Sequence, residues 1–179
     1  MEKPTGVIPA IRQLKYFEKA LASDHTWIVF LETRLGQLKS LVDYAKRENK
    51  KVLIHMDLIQ GIKADEYGVE YVVHDIKPEG IISTRASVIE SVKKYNILAI
   101  QRLFLLDSLS LDSNVKLIGR SKADYVEVLP GTMPEVVKEI KKQTNTPIIA
   151  GGLITSQANI DRALAAGAVA VSTSRTELW

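Results

Sequence analysis

A short apolar run followed by an amphipathic, helix-like stretch recurs along these 179 residues, eight times over, and this beat constrains the fold more than any single motif. The runs are Gly6 to Ala10, Trp27 to Leu31, Lys51 to Asp57, Gly80 to Ser83, Ile97 to Phe104, Tyr125 to Leu129, Pro147 to Ala150 and Ala168 to Ser172. They are rich in Ile and Val and have strand length. Between them the spacing predicts helices over Arg12 to Leu21, Leu35 to Glu48, Asp65 to Ile76, Ala86 to Tyr95 and Ser108 to Gly119. Asn49 is the expected stop of the second helix, and Pro78 bars continuation of the third. Thr132-Met-Pro-Glu135 offers an N-cap, an early-turn proline and a capping-box glutamate, while Ser156 opens a helix that Gly167 closes. Ser174-Arg-Thr-Glu177 repeats the capping pattern with room for one turn only.

Continuous apolar strands alternating with helices belong to a parallel sheet covered on both faces, and right-handed crossovers can close eight of them. The expectation is an α/β fold: one TIM-type (β/α)8 barrel domain over residues 1–179, compact, with a short or missing eighth helix. A doubly wound open sheet is the alternative. Barrels of this type typically run to about 250 residues, so the loops here must be minimal. A missing helix would expose apolar barrel wall, which a second copy of the chain would cover; a homo-oligomer is therefore expected.

Composition narrows the function classes. No apolar run approaches the roughly 20 residues that span a bilayer, and Met1-Glu-Lys-Pro-Thr-Gly lacks the layout of a secretory signal. The absence of cysteine excludes thiolate chemistry and fits a cytoplasmic location. A net charge of +3 tolerates a polyanionic partner without demanding one.

In such a barrel the C-terminal ends of the strands carry the site, and the loops after strands seven and eight hold phosphate. Those loops contain Gly151-Gly152 and Ser172-Thr-Ser174. Glycines let backbone N–H groups approach an anion, and helix starts aim further N–H groups at it. Gly151, Gly152, Ser172, Thr173, Ser174, Arg85 and Arg102 are therefore the candidate phosphate ligands. Asp57, Glu127, His55 and Glu32 are the other polar residues of the rim, able to hold ligand hydroxyls, bind a divalent ion or neutralise arginines. His55 and Asp57, two apart, should share a strand face, as should Phe30 and Glu32. Each has a structural alternative: a tight turn at the glycines, capping at the hydroxyls, ion pairing at the arginines, a satisfied core position at His55.

Leu35-Gly-Gln-Leu-Lys39, His55-Met-Asp-Leu-Ile59, Gly61-Ile-Lys-Ala-Asp-Glu-Tyr-Gly68, Ile81-Ile-Ser-Thr-Arg85, Ile100-Gln-Arg-Leu-Phe-Leu-Leu-Asp107, Glu127-Val-Leu-Pro-Gly131 and Ala150-Gly-Gly152 together resemble the glycerol-3-phosphate-responsive antiterminator family. The resemblance runs from about Ile8 to Trp179, so the chain looks full length for that family. It implies a cytoplasmic regulator and not an enzyme, which senses glycerol-3-phosphate and acts on leader mRNA of glycerol uptake genes so that transcription passes a terminator. It implies no catalytic residue, metal or cofactor. Gly151, Gly152, Ser172 and Thr173 would suit the phosphate; Asp57, Glu127 and Arg102 would suit the hydroxyls, and Arg85 either end. No RNA-recognition signature is present; Arg34, Lys39 and Lys63 are the basic residues nearest the rim. The rival reading is a phosphosugar or polyol-phosphate isomerase, lyase or transferase on the same barrel, with His55, Asp57 and Glu127 as acid/base groups or Mg²⁺ ligands. Against it stands the lack of a lysine at a rim strand end for a Schiff base.

Overall fold

The computed structural model describes the backbone of residues 3–105 and 108–179, with side chains described outside 106–112. Eight parallel strands close into a barrel: β1 (Gly6–Ile11), β2 (Trp27–Phe30), β3 (Lys51–His55), β4 (Gly80–Ser83), β5 (Leu98–Phe104), β6 (Tyr125–Leu129), β7 (Ile148–Ala150) and β8 (Ala170–Thr173). Each pairs with its sequence neighbour, and β8 closes on β1 with Ile8 opposite Ser172. The open-sheet alternative is thereby excluded. Seven helices lie between them: α1 (Phe17–Ala22), α2 (Leu35–Arg47), α3 (Glu66–Tyr71), α4 (Ala86–Val92), α5 (Ser108–Ser121), α6 (Pro134–Gln143) and α7 (Gln157–Ala165). Asn49 and Gly167 stop their helices in the left-handed region, at φ 59° and 108°.

Period-two alternation sorts the strand side chains into two cores. Inside the barrel lie Ile8, Ala10, Trp27, Val29, Leu31, Leu53, Ile82, Ile100, Tyr125, Ile149 and Ala170. The alternate residues face the helices, where Phe30 meets Phe17 at 5.4 Å between ring centres. Parity continued toward the C-terminal ends carries Arg12, His55, Arg102, Glu127, Gly151 and Ser172 to the barrel axis. A chain this short can afford a polar top layer because the layers beneath it are dry.

Several local expectations need correction. α6 is capped by Met133 without a side-chain hydrogen bond, so Thr132 is not its cap, although Pro134 does sit in the first turn. Ser174 caps nothing either: the final turn, Thr176–Leu178, is a 3-10 helix preceded by Arg175. The third helix is split, α3 passing into a π-helical turn over Val72–Ile76. β3 ends at His55, and Asp57 lies in the 3-10 turn Met56–Leu58, so the two do not share a strand face. β2 ends at Phe30, and Glu32 has already left it.

The missing eighth helix does not leave its wall bare. Leu178 packs on the core beneath α5 to α7 and Trp179 on the core beneath α1 to α4, bridging the two halves. The Trp179 indole N–H donates to the Thr173 carbonyl at 2.8 Å, holding this plug in place. The bare wall therefore supplies no argument for a second copy of the chain.

Candidate functional site

Three polar side chains meet at the top of the barrel on the β5–β8 side. Arg102 Nε donates to Glu127 Oε2 at 2.7 Å, and Ser172 Oγ donates to Glu127 Oε1 at 2.7 Å. Glu127 is 1% exposed and Arg102 9%. A carboxylate so deep is costly to bury without such partners. The position exists because Gly151 has no side chain: a Cβ there would lie 2.6 Å from Ser172 Oγ and 2.8 Å from Glu127 Oε1. The first glycine of the pair thus makes room for the carboxylate, and its own N–H is taken by the Val128 carbonyl at 3.0 Å.

Above this group opens a cavity of about 150 Å³, lined by Arg12, Arg102, Glu127, Gly152, Leu153, Ser172, Thr173 and Ser174, with apolar walls from Ala10, Leu31, Leu129 and Ile154. Gly152 and Leu153 both take positive φ, 73° and 58°, which turns the β7 loop over the cavity. Among the described residues, the N–H groups of Gly152, Leu153 and Ser174 make no hydrogen bond. Nor do the terminal nitrogens of Arg102 or the Ser174 hydroxyl. Two guanidiniums against one carboxylate leave the lining cationic. The unbonded N–H groups and guanidinium nitrogens are donors, which suits an anion. Thr173 differs: its hydroxyl donates to the Ile154 carbonyl at 2.9 Å and accepts from Arg175 N–H, tying β8 to the β7 loop. The helix starts expected to face the anion do not reach it. α7 begins at Gln157, outside the cavity lining; Ser156 Oγ accepts from the Asn159 N–H, and the Asn159 side chain accepts from the Thr155 N–H just before the helix.

Across the barrel mouth a second polar group is self-contained. Asp57 accepts from Ser83 Oγ at 2.6 Å, from the Thr84 N–H at 2.7 Å and from Thr84 Oγ1 at 2.9 Å. Burial alone would raise its carboxyl pKa; these bonds and the nearby His55 outweigh that and hold it below the usual value. Arg85 stands 3.9 Å away and is largely exposed, in a groove with Glu90 and Lys94 and not in the cavity. Between the groups sits His55, 3% exposed, its Nδ1 without a hydrogen-bond partner among the described residues. Burial, then the charge of Arg102, push its pKa down to about 4 against the opposing pull of Glu127 and Asp57. It is a neutral imidazole at neutral pH. Glu32 is exposed and reaches Arg12 at 3.4 Å.

The structure thus gathers Gly152, Ser172, Thr173, Ser174, Arg102 and Glu127 around one opening, with Gly151 beneath it, and leaves Arg85, Asp57, His55 and Glu32 out of its lining. Arg12 belongs to the lining and was missed from sequence, where it was assigned to a helix start. The signal was present: Ile8, Ala10 and Arg12 alternate, which continues the inward parity of β1 to the residue just past its end. Of the basic residues near the rim, Arg34 is exposed, Lys63 lines a groove with Tyr67 and Tyr71, and Lys39 donates to the Asp75 carbonyl at 3.0 Å. Asp107 lies outside the described residues. No group of three or more His, Asp or Glu positioned to hold a metal exists among the described residues.

Fold and site define a (β/α)8-barrel protein with a small donor-lined cavity over the ends of β7 and β8. Residues 7–179 match the family model described as glycerol-3-phosphate responsive antiterminator, and the chain belongs to that family. A glycerol uptake operon antiterminator regulatory protein from Listeria monocytogenes has a solved structure that is 44% identical, covers 99% of this chain and 96% of its own, and superposes with a TM-score of 0.95. A glycerol uptake operon antiterminator-related protein from Thermotoga maritima is 27% identical, with 98% of each chain covered and a TM-score of 0.87. The uncharacterized protein YgcP of Escherichia coli K12 is 32% identical over 97% of this chain and 91% of its own length.

Proposed function

We propose that this protein senses glycerol-3-phosphate at the cavity over β7 and β8 and, when loaded, acts on leader mRNA of glycerol uptake or metabolism genes to let transcription pass a terminator. The carrying observation is the cavity lining: free N–H groups of Gly152, Leu153 and Ser174 with Arg12 and Arg102 around them. Donors of this kind suit a phosphate, and the volume suits a small metabolite. A cavity of about 150 Å³ is well below the ~300–1,000 Å³ typical of drug-sized ligands. Glu127 can accept from a polyol hydroxyl at the cavity floor, since its other contacts leave lone pairs available.

The protein works as a regulator and not as an enzyme in this reading, in the cytoplasm; none of its described helices is long and apolar enough to cross a membrane. The effector acts by binding the RNA-competent conformer or homo-oligomer more tightly than the alternative. Moving a population from 1:99 to 99:1 takes about a 10⁴-fold difference in affinity. RNA contact rests mainly on Lys and Arg to phosphate, so affinity falls as salt rises.

The test combines calorimetric titration with glycerol-3-phosphate, NMR of the ligand over hours, and retention of leader RNA in a gel. The expected result is stoichiometric binding, an unchanged ligand spectrum and RNA retention that requires the effector. Consumption of glycerol-3-phosphate would establish the enzyme instead.

A further inference from the structure

The cavity has one wall that is not fixed by the barrel. Arg102 is clamped by Glu127 and buried. Arg12 is different: its side chain is 61% exposed, and among the described residues its guanidinium is held only by Glu32, itself 47% exposed, at 3.4 Å. Ile11 is the last residue of β1, so Arg12 stands just past the strand on the inward parity of Ile8 and Ala10. That places it in the lining of the opening together with Gly152, Leu153 and Ser174, the last of which follows β8, the strand paired with β1. Glu32 stands two residues past β2 and is joined to Thr33–Arg34, which pairs with Ile59–Gln60 in a separate two-stranded ribbon.

We propose that Arg12 is an effector-anion ligand whose partner is exchanged: a phosphate monoester in the cavity takes the guanidinium from Glu32. This rests on the reading of the cavity as a phosphate-ester site and assigns that site its specificity for charge. The competition is unequal for a physical reason. An exposed Arg–Glu pair in water is worth little, while a guanidinium on a phosphate has two parallel charge-assisted bonds and a more highly charged acceptor. Glu32 then acts against the ligand, lowering affinity by the small free energy of the pair it must give up. Loss of that pair frees Glu32 at the foot of the ribbon, away from the cavity.

The test is calorimetric titration of glycerol-3-phosphate, inorganic phosphate and glycerol into the wild type, Arg12→Gln, Glu32→Gln and the double variant. Both side chains are exposed, and melting temperatures of the variants, expected within a few degrees of wild type, confirm intact folding. Arg12→Gln is expected to weaken the phosphate ester by about tenfold or more. Glu32→Gln should tighten it by about two- to fivefold. In the Arg12→Gln background, Glu32→Gln should change nothing, since a coupled pair is not additive. Wild type that binds the ester while Arg12→Gln binds equally well overturns the exchange and leaves the sensor reading standing. So does a Glu32→Gln effect that survives loss of Arg12. If inorganic phosphate binds with the expected pattern and glycerol-3-phosphate does not, the exchange stands and the effector assignment falls. No binding of any phosphate to the wild type overturns both.

Discussion

The two polar groups at the barrel mouth are built from the same kinds of residue and do opposite things. On the β3–β4 side, Asp57 spends its oxygens on Ser83 and Thr84, closing the end of one strand unit onto the next. On the β6–β8 side, Glu127 also holds a serine, but its second oxygen holds Arg102, whose remaining donors face an opening. The difference is where the carboxylate stands. Asp57 lies past its strand in a 3-10 turn, close enough to a neighbouring loop to take its backbone N–H. Glu127 lies within a strand, on the parity that faces the axis, and its partners among the described residues are the Arg102 guanidinium and the Ser172 hydroxyl. A carboxylate satisfied by a turn makes a lock; one satisfied by an arginine on the axis makes the floor of a socket.

That contrast is breakable. The largest effect is expected from Glu127→Ala, which leaves Arg102 buried and unpaired; chemical denaturation should show a loss of about 3–5 kcal/mol and effector binding should disappear. A comparably stable variant would mean that the socket floor is not the ion pair. The pH dependence should be nearly as large. The folded His55 pKa of about 4 lies below the ordinary 6.5, so the unfolded chain binds the proton first as pH falls. Stability is full above pH 6.5 and is lost progressively toward pH 4, by on the order of 3 kcal/mol from this group. Asp57, with a depressed pKa, adds a further loss only when acid reaches its own range, below the ordinary 3.8. Urea melts of wild type and His55→Gln across this window should diverge in slope, the variant being flatter; parallel curves would dismiss the imidazole as the cause.

Asp57→Asn comes next, with a loss of about 1.5–3 kcal/mol as charged hydrogen bonds weaken. Its effector affinity should stay within about twofold, because the lock is not the socket; this is the sharpest test of the comparison, and a large loss of affinity would merge the two groups. The smallest stability effect is expected from Gly152→Val, about 1–2 kcal/mol from forcing a β-branched residue to φ 73° and against Leu129. Effector binding by calorimetry should nonetheless fall at least about tenfold, because the added side chain occludes an N–H donor of the cavity wall. Unchanged affinity would remove the β7 loop from the site.

Much of this was legible without coordinates, for reasons that can be named. Period-two alternation carried Glu127, Arg102 and Ser172 to one face, because a strand offers its side chains only two directions. It misled at Asp57 and Glu32, where the strands stop one or two residues earlier than their apolar runs. Nothing local marks that stop, since it is set by how far the neighbouring strand continues to supply hydrogen bonds. The same limit hid Arg12: helix-like composition after the first strand concealed that its parity still belonged to the barrel. The capping patterns at Thr132 and Ser174 failed because Met133 and Arg175 take the cap positions.

By itself, then, the sequence determined the architecture and the family, since eight alternations and a set of distinctive motifs are properties of order along the chain. Tertiary structure alone decided which polar residues meet. Glu127 and Ser172 are 45 residues apart and are brought to 2.7 Å by closure of the barrel across β6, β7 and β8. The same closure decided that Gly151 clears space for that pair while Gly152 lines the cavity above it. Two adjacent glycines look alike in a sequence; which one faces the axis follows from the pleat, and what it faces follows from the strands beside it.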